Sequence, residues 1–205
     1  MASADYQAII RIIFGKRKSG KSHLGRKLAR PQKRKLFYDT TGHDFDETDG
    51  FIIRTMPELQ AFIKENYRKD FSIVYRSPDP LEDIETVSLL VMDIESMWFI
   101  IDEAHNYFKG YRPLPGLNKV VHEDRHSNID LVLITQCPVD LGPMTRDQAE
   151  ELYIFKTREP RIMDYFRDAI GSEEVAKLPE LDKSKHEYLF FSDELEETEI
   201  RHESA

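Results

Sequence analysis

The chain has 205 residues, of which 40% are apolar and 33% charged, and it carries a formal net charge of −9. That composition suits a soluble globular protein and excludes a largely disordered one, while the length leaves room for one substantial core, so a single domain over residues 1–205 is expected. The acidic total conceals a local excess of the other sign, because residues 6–38 hold eleven Lys or Arg and no Asp or Glu, so net charge does not by itself exclude a nucleic-acid partner.

In chain order, residues 1–5 have neither the basic opening nor the apolar stretch of a secretory signal. Residues 8–14, AIIRIIF, are an isoleucine-rich run that stops at glycine, the pattern of a buried strand feeding a turn. Residues 21–30 carry good helix formers and end at Pro31. Further strands are expected at 35–39, 51–54, 72–76, 97–101, 129–135, 152–156 and 187–191, with helices at 57–69, 81–94, 117–126 and 162–170. This alternation predicts an α/β fold, a mainly parallel sheet with helices on both faces and ligands bound at the carboxyl ends of its strands. Residues 105–128 are the least regular, interrupted by Pro113, Pro115 and Gly116. Residues 192–205 are acidic and are expected as a final edge strand or a loose tail. No apolar run approaches the roughly 20 residues of a membrane helix. Cys137 is the only cysteine, so no intrachain disulfide can form and a reducing, intracellular compartment is expected, with the thiol packing at a strand end.

Gly15-Lys16-Arg17-Lys18-Ser19-Gly20-Lys21-Ser22 fits GxxxxGK[ST] and sits between a predicted strand and a predicted helix, where the phosphate-loop mechanism needs it. Its glycines let successive N–H groups turn toward phosphate oxygens while the helix N-terminus adds partial positive charge. The nucleotide-binding set is therefore Gly15, Lys16, Arg17, Lys18, Ser19, Gly20, Lys21, Ser22 and His23, with Lys21 on the β- and γ-phosphates of ATP and Ser22 on Mg²⁺. The side chains of Lys16, Arg17 and Lys18 are expected to point outward.

Residues 97–101 form an apolar run ending in Asp102 and Glu103. Downstream of a phosphate loop, that arrangement assigns Asp102 to Mg²⁺ and Glu103 to the attacking water, favouring ATP hydrolysis over phosphorylation of a small molecule. Two other motifs are set aside. Asp102 to His105 spells DEAH, but helicases bearing that box need tandem motor domains. His122-Glu123-Asp124-Arg125-His126 fits HExxH, yet no third zinc ligand stands at a recognisable spacing, and a solvated helix is expected instead. The strand at 129–135 ends beside Gln136, which can hydrogen-bond the γ-phosphate or the attacking water.

Taken together, GKRKSGKS, IIDEAH, RHSNIDLVLITQ and KTREP, spread over residues 9–161, resemble the HerA/FtsK superfamily of DNA-pumping ATPases. Within it they look most like the genome-packaging ATPases of tailless icosahedral viruses with an internal membrane. Zot-like ATPases of filamentous phages share the Arg-His, apolar strand and Thr-Gln stretch and are next closest. The resemblance implies a RecA-like P-loop sheet, a homo-oligomeric ring of six subunits and double-stranded DNA in a central pore. It also implies partners at a capsid vertex or portal, and a place in the host cytoplasm or at the packaging vertex of a virion. Arg125 aligns with the Arg-His pair of those ATPases and is expected to act in trans on a neighbour's γ-phosphate, with Arg146 and Arg158 as rivals. Residues 106–119 carry Lys109, Arg112 and Lys119 among aromatic groups, as a loop facing DNA would. A Zot-like assembly ATPase and a non-translocating nucleotide switch remain the alternatives.

Overall fold

Short β-branched and aromatic runs become strands, and the polar, glycine- or proline-marked segments between them become turns and helix starts. The computed structural model describes residues 8–195 and 197–202, with the side chains of Asp124, Arg125 and Glu197 outside that description. Its first strands are β1 (Ile10–Phe14), β2 (Arg34–Tyr38), β3 (Phe51–Ile53), β4 (Phe71–Tyr75) and β5 (Met97–Ile101). A small hairpin, β6 (Phe108–Lys109) with β7 (Arg112–Pro113), precedes β8 (Ile129–Thr135), β9 (Glu151–Phe155), β10 (Glu187–Ser192) and β11 (Glu197–His202). The helices are α1 (Lys21–Ala29), α2 (Met56–Asn66), α3 (Pro80–Ile94), α4 (Pro115–Ser127), α5 (Gly142–Asp147), α6 (Pro160–Ile170) and α7 (Ser172–Lys177).

Among the described residues nine strands join in one sheet, ordered β11-β10-β9-β1-β8-β5-β2-β4-β3. From β9 to β3 every pairing is parallel, whereas β10 runs antiparallel to both β9 and β11. The acidic C-terminal stretch thus supplies the edge strand β11, and residues 203–205 lie outside the described residues.

Side chains alternate between two cores, as the pleat requires. Ile10, Ile12 and Phe14 enter the larger one, which receives Leu59 from α2, Val87 from α3, Val120 from α4 and Phe166 from α6. Ile13 enters the smaller one, under Leu24 and Ala29 of α1. Helices do flank both faces, but unequally: among the described helices, α1 is the one that contributes to the smaller core, which Phe45 of the loop after β2 completes.

Local signals explain the helix starts. Thr55 and Glu58 form a reciprocal capping box at α2, with Pro57 in the first turn. Gly116 in the first turn of α4 lets that helix press on α3: a Cβ there would stand 2.7 Å from the backbone oxygen of Glu85. The irregular stretch after β5 is mostly ordered by the β6–β7 hairpin, whose turn residues Gly110 and Tyr111 have φ of 56° and 66°, the positive values a two-residue hairpin turn needs. No described helix is long and apolar enough to cross a membrane.

Candidate nucleotide site

The carboxyl ends of β1, β8, β5 and β2 lie side by side, so the residues that follow each strand meet at one edge of the sheet. After β1 the chain curls over the start of α1. Gly15 N–H donates to Thr135 O at 3.2 Å and Ser19 N–H to Lys16 O at 3.1 Å, while Lys18 and Gly20 take φ of 62° and 106°. At Gly15 a Cβ would stand 2.1 Å from Ser19 Oγ and 3.0 Å from Ser19 Cβ, so any larger residue would force the serine to shift. Lys16, Arg17 and Lys18 are exposed, as expected, and Lys16 reaches Glu159 at 3.6 Å. His186, in the turn before β10, holds the loop from the other side, its Nδ1 lying 2.8 Å from Ser19 O. The side chain of His23 lines a groove of about 1090 Å³ with Arg26, Arg30, Lys35 and Arg54, whose lining includes none of Lys21, Asp102 and Glu103.

Lys21 is buried, and its Nζ lies 3.6 Å from Glu103 Oε1. Glu103 has a left-handed backbone, φ 46°, which is uncommon for a residue with a side chain and turns the chain sharply after β5. Gln136, just past β8, donates through Nε2 to Glu103 Oε1. The other oxygen of Glu103 has no hydrogen-bond partner and lies 3.5 Å from His105 Nδ1. That imidazole nitrogen is also 3.1 Å from Thr135 Oγ1, so Gln136 ties the tip of β8 to the acid after β5 and His105 lies between the two. A carboxylate held among Lys, Gln and His side chains can polarise a water molecule beside a bound phosphate.

Asp102 is wholly buried, and neither carboxylate oxygen has a hydrogen-bond partner. Burial, then the charges of Asp44 and Glu103, push its carboxyl up to about 8. Asp44 behaves oppositely: burial would raise it, but hydrogen bonds from Thr41 and Ser22 outweigh that and hold it below its ordinary value. Carboxylate oxygens of Asp39, Asp44 and Asp102 lie within 4.8 Å of one another. Orphaned, hard oxygen donors at the phosphate loop fit Mg²⁺, with Ser22 Oγ and Asp102 as the groups that would hold it. The tip of β2 is fixed beside β5 because Thr40 Oγ1 donates to Asp102 O at 2.5 Å and meets Tyr107 Oη at 2.7 Å.

Other expected residues fall elsewhere. Arg125 is on α4, and its side chain lies outside the described residues. Arg146 is buried, donates to Tyr165 O at 2.6 Å and pairs with Asp147 at 2.7 Å, so it serves its own chain. Arg158 is exposed after β9. His122 meets Gln148 at 3.1 Å, and among the described residues the one group of three metal-binding side chains is Asp39, Asp44 and Asp102, without His122 or His126. Cys137 is exposed and does not pack at the strand end as expected, although Pro138 beside it is buried. Asp39, Asp44, His105 and His186 escaped sequence reasoning. For the two aspartates the signal was a pair of acids just past β2, which becomes meaningful once β2 is known to lie next to β5.

The sequence profile of the family described as zonular occludens toxin (Zot) matches residues 9–183. No curated protein sequence matches the chain. Among solved structures, the genome packaging NTPase B204 from Sulfolobus turreted icosahedral virus 2, in complex with AMPPCP, superposes with a TM-score of 0.78 at 23% identity, covering 96% of this chain and 98% of that one. B204 from Sulfolobus turreted icosahedral virus, the DNA-packaging ATPase, gives 0.72 at 23% identity over 96% and 98% of the two chains. VirB4 of Thermoanaerobacter pseudethanolicus gives 0.68 at 12% identity over 100% and 92%. The fold is therefore the α/β P-loop ATPase fold of these proteins, as the motifs implied.

Proposed function

Because the chain belongs to the zonular occludens toxin (Zot) family, with the P-loop ATPase fold, we propose that it is an ATP-hydrolysing motor that drives a viral double-stranded DNA genome into a preformed capsid. The observation that carries this reading is the correspondence with a viral genome packaging NTPase over 96% of this chain and 98% of that one. Lys21 grips the β- and γ-phosphates, Ser22 and Asp102 hold Mg²⁺, Glu103 polarises the attacking water, and Gln136 orients that water or the γ-phosphate. Bound there, Mg²⁺ would neutralise charge on the β- and γ-phosphates. Arg125 enters from the neighbouring subunit of a homo-oligomeric ring, six in number, and DNA runs through its pore. The capsid vertex or portal is the docking partner, reached from the host cytoplasm.

The experiment is ATP turnover by purified protein with Mg²⁺, with and without double-stranded DNA. Turnover that rises with DNA is expected. No turnover in either condition sinks the ATPase reading. The family match over residues 9–183 favours a second reading, virion assembly or export as by Zot-like phage ATPases, and turnover indifferent to DNA would move the conclusion there.

A further inference from the structure

We propose that Asp44 is a third protein group of the divalent-cation site, orienting the Ser22 hydroxyl and adding its own carboxylate beside Asp102. The inference rests on the ATPase reading above and concerns a residue that neither the phosphate-loop motif nor the acidic pair after β5 contains.

A serine hydroxyl has one proton to donate and two lone pairs to offer. To serve as a cation ligand it must turn a lone pair toward the metal, so the proton needs an acceptor on another side. Asp44 is that acceptor: Ser22 Oγ donates to Asp44 Oδ1 at 3.0 Å. Asp102 does not take this role, since both of its oxygens lack a hydrogen-bond partner although the residue is wholly buried. The division leaves Asp102 free for the cation or its water shell.

The three clustered aspartates are not equivalent. Asp39 Oδ1 accepts from Gly42 N–H at 3.1 Å and Asp44 N–H at 3.3 Å, and its Oδ2 accepts from Arg76 Nε at 2.9 Å. It is occupied in building the loop. Each oxygen of Asp44 accepts one hydrogen bond, Oδ1 from Ser22 at 3.0 Å and Oδ2 from Thr41 Oγ1 at 2.6 Å, and each retains a further acceptor position. The backbone of Asp44 is pinned from α1, because Arg26 Nη2 donates to its carbonyl at 2.7 Å. Its carboxylate therefore sits beside Ser22 by construction of the fold. A carboxylate fixed next to one cation ligand and within 4.8 Å of another belongs to the cation's shell, as a direct ligand or through a bound water.

The test is a Mn²⁺ titration of the protein saturated with a non-hydrolysable ATP analogue, followed by electron paramagnetic resonance of free Mn²⁺. Asp44→Asn should weaken Mn²⁺ binding roughly 10- to 100-fold, the range for residues that support metal ligands. Its affinity for the analogue in EDTA should stay at the wild-type value. Mn²⁺ bound by Asp44→Asn as tightly as by wild type would overturn the inference while leaving the ATPase reading intact. Failure of the wild type itself to bind the analogue would instead sink that reading, and this inference with it. Should Asp44→Asn not fold, Thr41→Val, at an exposed position, removes the hydroxyl that orients Asp44 Oδ2. Weaker Mn²⁺ binding in that variant supports the inference, and unchanged binding overturns it.

Discussion

Lys21 Nζ and Glu103 Oε1 lie 3.6 Å apart, so the lysine that follows β1 and the acid that follows β5 are paired across the end of β8, the strand between them. In the proposed mechanism the lysine grips phosphate and the acid polarises water. Lys21→Ala should abolish ATP binding, whereas Glu103→Gln should bind ATP normally and lose about 10²- to 10⁴-fold in turnover. Equilibrium binding and steady-state hydrolysis on the same preparations check this; equal loss of binding in both variants would refute the division of roles.

The proposed action of Arg125 on a neighbouring subunit makes a separate prediction. Arg125→Ala should lower turnover by about a thousandfold or more, and mixing it with Glu103→Gln should restore part of the activity, because some mixed interfaces join an intact acid to an intact arginine. The burial of Arg146 among its own chain's partners leaves the exposed Arg158 as the rival. If subunits exchange and only an Arg158 variant complements Glu103→Gln, the finger is Arg158.

The β6–β7 hairpin displays Lys109 and Arg112 at the surface, with Lys119 exposed on the following helix, while Phe108 is buried and anchors its base. Replacing the three cations with alanine should weaken DNA binding and flatten its dependence on salt by roughly 0.9 in log–log slope for each phosphate no longer neutralised. Binding isotherms at several salt concentrations measure both. An unchanged slope would make the hairpin a packing element only.

Gly116→Ala separates packing from helix propensity. Propensity alone favours alanine by about 1 kcal/mol in a helix. The new Cβ would meet the backbone of Glu85 at 2.7 Å, and backbone cannot step aside as a side-chain end can. A net loss of about 1–3 kcal/mol is expected, read as a lower midpoint in urea.

Much of this was legible in the chain because the phosphate loop and the acidic pair are local patterns. Residues 97–101 are a continuous apolar run and 131–134 another, each followed by polar residues, and they lie in β5 and β8, whose bounds are those expected. What escaped depends on strand order. Asp44 comes close to Asp102 because β2 lies beside β5, and nothing local to residues 34–44 states that adjacency. His186 touches Ser19 from 167 positions away. His105 was discounted with the DEAH spelling, yet its ring lies between Thr135 and Glu103, a contact that needs β5 and β8 side by side. The unequal helix cover was hidden too, since right-handed crossovers fix which face each helix takes only once the strand order is known.

The placement of β1 has a consequence for how the protein comes into being. Its two neighbours are β8 and β9, in register at Ile10 with Leu131 and at Ile12 with Leu152. A chain emerging from the ribosome presents residues 15–22 early, but the strand that must support them finds no partner until more than a hundred further residues have been made. Pairings of such long sequence separation form slowly, because the intervening loop must close before any contact rewards it. Residues 15–22 therefore lack a paired strand behind them through synthesis of the next six strands, and the loop gains its support late, as the centre of the sheet is filled.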